Sequence, residues 1–203
     1  SAVRKKIMEI NNQPVLADLK NEKIEDPEIL IRRLADKEKE IREKVRELLI
    51  KTCSITSKEL LKALQSPNMM IRTGAAEILG CIGCGTRHRY HLPKTIKALE
   101  QALQTESESV RIAAAEAIWG LTGRCDKILP ILREVIERGN WWEQRVHAIE
   151  LVKRIGPDSR DAIPSLLNAL HDCHGAVRGL AARTLYVLNE RSGNEGIISV
   201  PLQ

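Results

Sequence analysis

The segment richest in ligand-type side chains runs from Cys81 through Cys84 and His88 to His91. Two thiols are separated by two intervening residues, and so are two imidazoles, and these are the ligand types that zinc prefers. A zinc ion held by Cys81, Cys84, His88 and His91 would stiffen a loop. Two features weigh against it. Cys81 falls in the last turn of a helical pattern, where cysteine packs as an ordinary small apolar residue. The spacer between the pairs is also shorter than in familiar two-Cys, two-His modules. Arg87, His88 and Arg89 could equally make a small anion-contacting loop. Apart from that zinc, no cofactor is expected.

A second cluster of ligand types is His171-Asp172-Cys173-His174. It lies on a link inside a repeat, on the edge opposite the first cluster, so the two cannot share one metal. A solvated turn with an N-capping residue is its simpler reading. Trp141-Trp142 is the most unusual local feature. One of the pair should cap the core at its link, and an exposed one would anchor a partner. The chain has no Gly-rich phosphate loop and no Gly-x-Ser-x-Gly elbow. No catalytic residue is identified, and enzymatic activity is not the favoured reading.

The elements that must position these residues show as a recurring phrase: an aliphatic residue, Arg, a small or aliphatic residue three on, and an aliphatic residue four further. It returns at Arg42, Arg72, Arg111, Arg145 and Arg178, with Gln144 replacing the leading aliphatic residue once. The spacing of these arginines is 30, 39, 34 and 33 residues, and such a period means stacked supersecondary units. Each unit reads as two helices. The first carries a Leu-rich stripe, with Pro27, Pro93, Pro130 or Pro164 in its first turn, where a missing N–H costs nothing. The second starts after a polar link and stops near Gly83, Gly123 or Gly156. Residues 1–25 lack the phrase and are expected to form an N-terminal cap, residues 26–188 the repeat domain, and residues 189–203 a tail or the stump of a longer protein.

Val110-Arg111-Ile112-Ala113-Ala114-Ala115-Glu116-Ala117-Ile118 and Ile155-Gly156…Ile163-Pro164-Ser165-Leu166-Leu167 resemble the HEAT repeat, in the short form of phycobilisome lyase-like proteins. The resemblance covers about residues 26–188. It implies an all-α fold, a right-handed α-solenoid of about five helix pairs whose second helices line a concave surface. For function it is broad, since this repeat serves scaffolds, adaptors and a few enzymes. HEAT-like di-iron hydroxylases use His-Glu dipeptides, and none occurs in this chain.

With the repeat Arg as zero and about 100° per residue, offsets −1, +3, +7 and +10 form the buried stripe. Offsets +1, +5 and +8 then point into the groove. They bring Glu77, Glu116 and Glu150 into a column, with Ile112, Trp119, Val146 and Tyr186 as apolar groups beside it. Trp and Tyr are frequent interface anchors. The expectation is a protein-interaction scaffold that binds another protein or peptide on this surface, the glutamates selecting basic groups. The alternatives are an enzyme or subunit of the phycobilin lyase-like class, or a HEAT-like nucleic-acid binder. The repeat arginines are read as structural, holding carboxylates or link carbonyls of the neighbouring unit.

Composition agrees. Hydrophobic residues are 43% and aromatics only 2%, with no Phe, which suits an aliphatic core between helices rather than an aromatic-rich sheet. A net charge of +5 permits an acidic partner without demanding one. No run of about 18 apolar residues suggests a membrane span. Five cysteines, an odd number, point to a reducing cytoplasm.

Overall fold

The computed structural model describes residues 27–51, 53–83 and 92–190. It divides into two compact units, Ser1–Arg89 and Tyr90–Gln203. The division falls inside the longest step between repeat arginines. In the first unit the described helices are α1 (Pro27–Arg33), α2 (Lys39–Lys51), α3 (Cys53–Ala63) and α4 (Met69–Gly83). In the second they are α5 (Leu92–Ala102), α6 (Glu108–Thr122), α7 (Leu129–Arg138), α8 (Trp142–Ile155), α9 (Ile163–Ala169) and α10 (Gly175–Glu190), with a 3₁₀ turn at Gly156–Ala162. There is no strand among the described residues. None of their helices is long and apolar enough to cross a membrane.

Each unit stacks helix pairs in two layers. In the first, α1 packs on α3 and α2 on α4. In the second, α7 packs on α9, while α8 lies between α6 and α10. The fold is therefore the all-α solenoid class expected from the repeat. Its core is aliphatic: Val45, Leu49, Leu60, Leu99, Leu132, Ile149 and Leu166 are fully buried. Offsets +3 and +7 are buried wherever the side chain is described, as in Ala114 and Ile118, Ala148 and Val152, and Ala181 and Leu185. Alanine at +3 lets neighbouring helices approach closely, and the larger residues at +7 fill the space between them.

The glycine stops at Gly123 and Gly156 act as expected, while the residues after Gly83 lie outside those described. Gly123 takes φ +66° and donates its N–H to Trp119 O at 2.7 Å, closing α6. Gly139 has a different reason. A Cβ there would stand 2.5 Å from Val135 O and 3.2 Å from Arg145 Cγ, so only glycine lets the link pass beneath that arginine.

The repeat arginines hold the links. Arg42 Nη1 donates to Asp36 O (2.8 Å) and Lys37 O (3.0 Å), and Arg72 Nη1 to Ser66 O (2.7 Å) and Pro67 O (3.0 Å). Arg178 Nη1 donates to Asp172 O (2.8 Å) and Cys173 O (3.1 Å), and Arg145 Nη1 to Gly139 O (2.8 Å). These carbonyls follow the end of the first helix and have no helical partner, so a cation there satisfies them. They belong to the arginine's own repeat, not to its neighbour as the sequence suggested. The carboxylates do come from the next repeat. Arg145 makes two bonds to Asp172 (2.7 and 2.9 Å), and Arg111 two to Glu134 (2.6 and 3.2 Å).

Candidate functional site

Three second helices of the second unit, α6, α8 and α10, turn one side to solvent. Exposure falls at offsets +5 and +9 on both α6 and α8, at Glu116 and Gly120 and at Glu150 and Arg154, with His147 at +2 exposed on α8 alone, since Ala113 at +2 of α6 is buried. Offsets +1 and +8 lie at the flank of that arc, and this moves one expected residue. Ile112 is only 6% exposed and belongs to the core, not to the free face. At about 100° from Arg111 it stands between the exposed arc and the buried side, and on an alanine-rich helix the packing reaches it. Val146, at the same offset, is half-buried.

The remaining expected residues are placed as follows. Trp119 is half-buried, and the Arg154 guanidinium stands 5.3 Å from its ring centroid, within cation–π range. Arg154 Nη1 also pairs with Glu116. Glu150 is exposed. Tyr186 is 63% exposed, and its hydroxyl donates to the Glu190 carboxylate, a bond that raises the phenol's pKa above the ordinary value. Glu77 lies in the first unit, paired with Arg46 at 2.8 Å. The structure therefore brings Glu116, Trp119, Val146 and Glu150 onto neighbouring helices of one unit, with Tyr186 on the next helix. Arg154 was missed in the sequence. Its signal, a basic residue at +9, has no meaning until α8 is set beside α6.

The link edge carries a second aromatic group. Trp142 stacks on His174, ring centroids 4.0 Å apart and planes 6° from parallel. Trp141 is 66% and Trp142 38% exposed, so neither indole caps the core at this link as expected, and both face solvent. Asp172 is occupied by Arg145 and by the His174 N–H (2.8 Å). Burial pushes its carboxyl up, but the Arg145 bonds, the backbone N–H and the guanidinium charge outweigh it and hold the pKa below the ordinary value. Arg145 in turn is raised, first by its bond to Asp172. This cluster is an ion-paired link, and at Asp172 it is more buried than the solvated turn that the sequence suggested.

Of the zinc candidates, Cys81 is exposed at the end of α4, while Cys84, His88 and His91 lie outside the described residues. Among the described residues, no group of three or more His, Cys, Asp or Glu could hold a metal ion. Burial pushes the Cys125 thiol up, with the Asp158 charge adding to it, which favours the unreactive protonated form.

HEAT repeats match the chain at residues 27–119, 57–143 and 96–186. No curated protein sequence matches it. A chain in the structure of the complex of CpcE and CpcF of phycocyanin lyase from Nostoc sp. PCC7120 is similar at 23% identity and a TM-score of 0.54. The alignment covers 84% of this chain and 67% of that one. At that identity the likeness is one of fold. An engineered protein (18% identity, 82% of this chain and 80% of that one, TM-score 0.48) is also similar. So is a computationally designed armadillo repeat protein for modular peptide recognition (17%, 80% and 82%, 0.49). With the repeat matches together spanning residues 27–186, well over half of the sequence, the chain belongs to the HEAT-repeat family.

Proposed function

We propose that this protein is a binding module that takes a segment of another protein on the α6–α8–α10 face. One observation carries the reading. The chain has few aromatic residues, and none of the four described ones, Trp119, Trp141, Trp142 and Tyr186, is in the core. A fully buried aromatic is among the largest contributors to a core. In this chain aliphatic residues fill that role, and indole and phenol rings stand at the surface. Such rings bury large area on association while their polar tips stay satisfied.

Trp119 and Tyr186 are the proposed anchors, Val146 adds apolar area, and Glu116 and Glu150 set charge preference. The partner is a protein or peptide, and the cytoplasm is the proposed setting. The test is affinity capture from native extract with the wild-type chain and with Trp119→Ala/Tyr186→Ala, helix content being checked by circular dichroism. A protein retained by the wild type and lost by the folded double variant supports the reading. The same proteins retained by both would refute it.

A further inference from the structure

We infer that Arg154 is a ligand the protein supplies to its own site, and that Glu116 and Trp119 form a receptor for the guanidinium or ammonium group of a basic partner segment. The inference rests on the binding face proposed above and adds the chemistry of its occupant. Glu116 and Trp119 lie three residues apart on α6, so carboxylate and indole share one side of the helix. Arg154, reaching over from α8, meets both: its Nη1 pairs with Glu116 and its guanidinium stands 5.3 Å from the Trp119 ring centroid. That is the geometry by which an anion and an aromatic face recognise a cation.

The internal ligand is held loosely. The Arg154 and Glu116 side chains are 55% and 47% exposed, and exposed pairs of this kind contribute little. Arg154 also has a second partner within reach. Glu150 is exposed on the same helix, four residues before it, the order in which a Glu/Arg pair is favourable. A partner's cation can therefore take Glu116 and Trp119 while Arg154 swings to Glu150, and no carboxylate is left unpaired.

The test uses the full chain and two capped peptides, acetyl-(Gly-Arg)4-amide and acetyl-(Gly-Glu)4-amide, with affinity read by calorimetry. Arg154→Gln should bind the Arg peptide about three- to tenfold more tightly than the wild type, because the internal competitor is gone. Lys153→Gln makes the same charge change one residue away and should leave the affinity within about twofold. Adding Glu116→Gln to Arg154→Gln should return affinity to the wild-type level or below. The Glu peptide should show no such gain. Equal or weaker binding by Arg154→Gln, including no binding by either protein, or an equal gain from Lys153→Gln, overturns the inference. Those results leave the binding face standing if Trp119→Ala/Tyr186→Ala still loses the captured protein.

Discussion

Arg145 and Arg154 sit nine residues apart on α8 and show how burial decides what an ion pair does. The Arg145 and Asp172 side chains are each 11% exposed, and the guanidinium also holds Gly139 O. Removing Asp172 would leave a desolvated cation, and hydrogen bonds to charged groups of this kind are worth about 1.5–3 kcal/mol each. Asp172→Ala should therefore lower the unfolding free energy by about 2–4 kcal/mol in urea titrations, less than a fully buried pair would lose. Arg154→Gln, at an exposed pair, should change it by less than about 1 kcal/mol. The pair also sets a pH dependence. The Asp172 carboxyl titrates below its ordinary value in the folded chain, so the unfolded chain takes up that proton first as pH falls. Stability from the pair is complete above about pH 4 and is lost as pH drops through the lower, folded value. The stability gap between wild type and Asp172→Asn, measured by urea unfolding, should be wide at pH 6 and narrower at pH 3. A gap that widens toward acid would contradict the assignment.

At the level of the helix, glycines separate two physical situations. Gly139 lies where a Cβ would meet the Val135 carbonyl at 2.5 Å, so Gly139→Ala must shift backbone and should cost about 1–3 kcal/mol. Gly179, inside α10, has nothing within 4 Å of that position, so Gly179→Ala should stabilise by up to about 1 kcal/mol through helix propensity alone. Thermal melts of the two variants should move in opposite directions. The same elements show what the sequence could reveal. The aliphatic stripe at +3 and +7 and the stops at Gly123 and Gly156 were legible because both depend on spacing along one helix. The free arc was misplaced by a fraction of a turn, enough to assign Ile112 to solvent. Side-chain exposure depends on how far neighbouring helices wrap around, and a single helix does not encode that. The Arg154–Glu116–Trp119 contact was illegible for the same reason, since its members are 35 and 38 residues apart in sequence.

Across the whole chain, the repeat fixes the class of fold, while what distinguishes this protein is where its aromatic side chains lie. Guanidinium groups that might have met a phosphate backbone are spent on link carbonyls at Arg42, Arg72, Arg145 and Arg178. Fluorescence anisotropy with a labelled DNA duplex should accordingly show no saturable binding at about 150 mM salt. Tight binding with a steep salt dependence would favour the nucleic-acid alternative. The most direct test of the account is oxidative footprinting of the chain with and without its captured partner protein. Trp119 and Tyr186 should lose reactivity in the complex, while Leu167, exposed on the first helix α9, should keep its own. Protection of Leu167 with Trp119 and Tyr186 still fully reactive would contradict the assignment of the binding face.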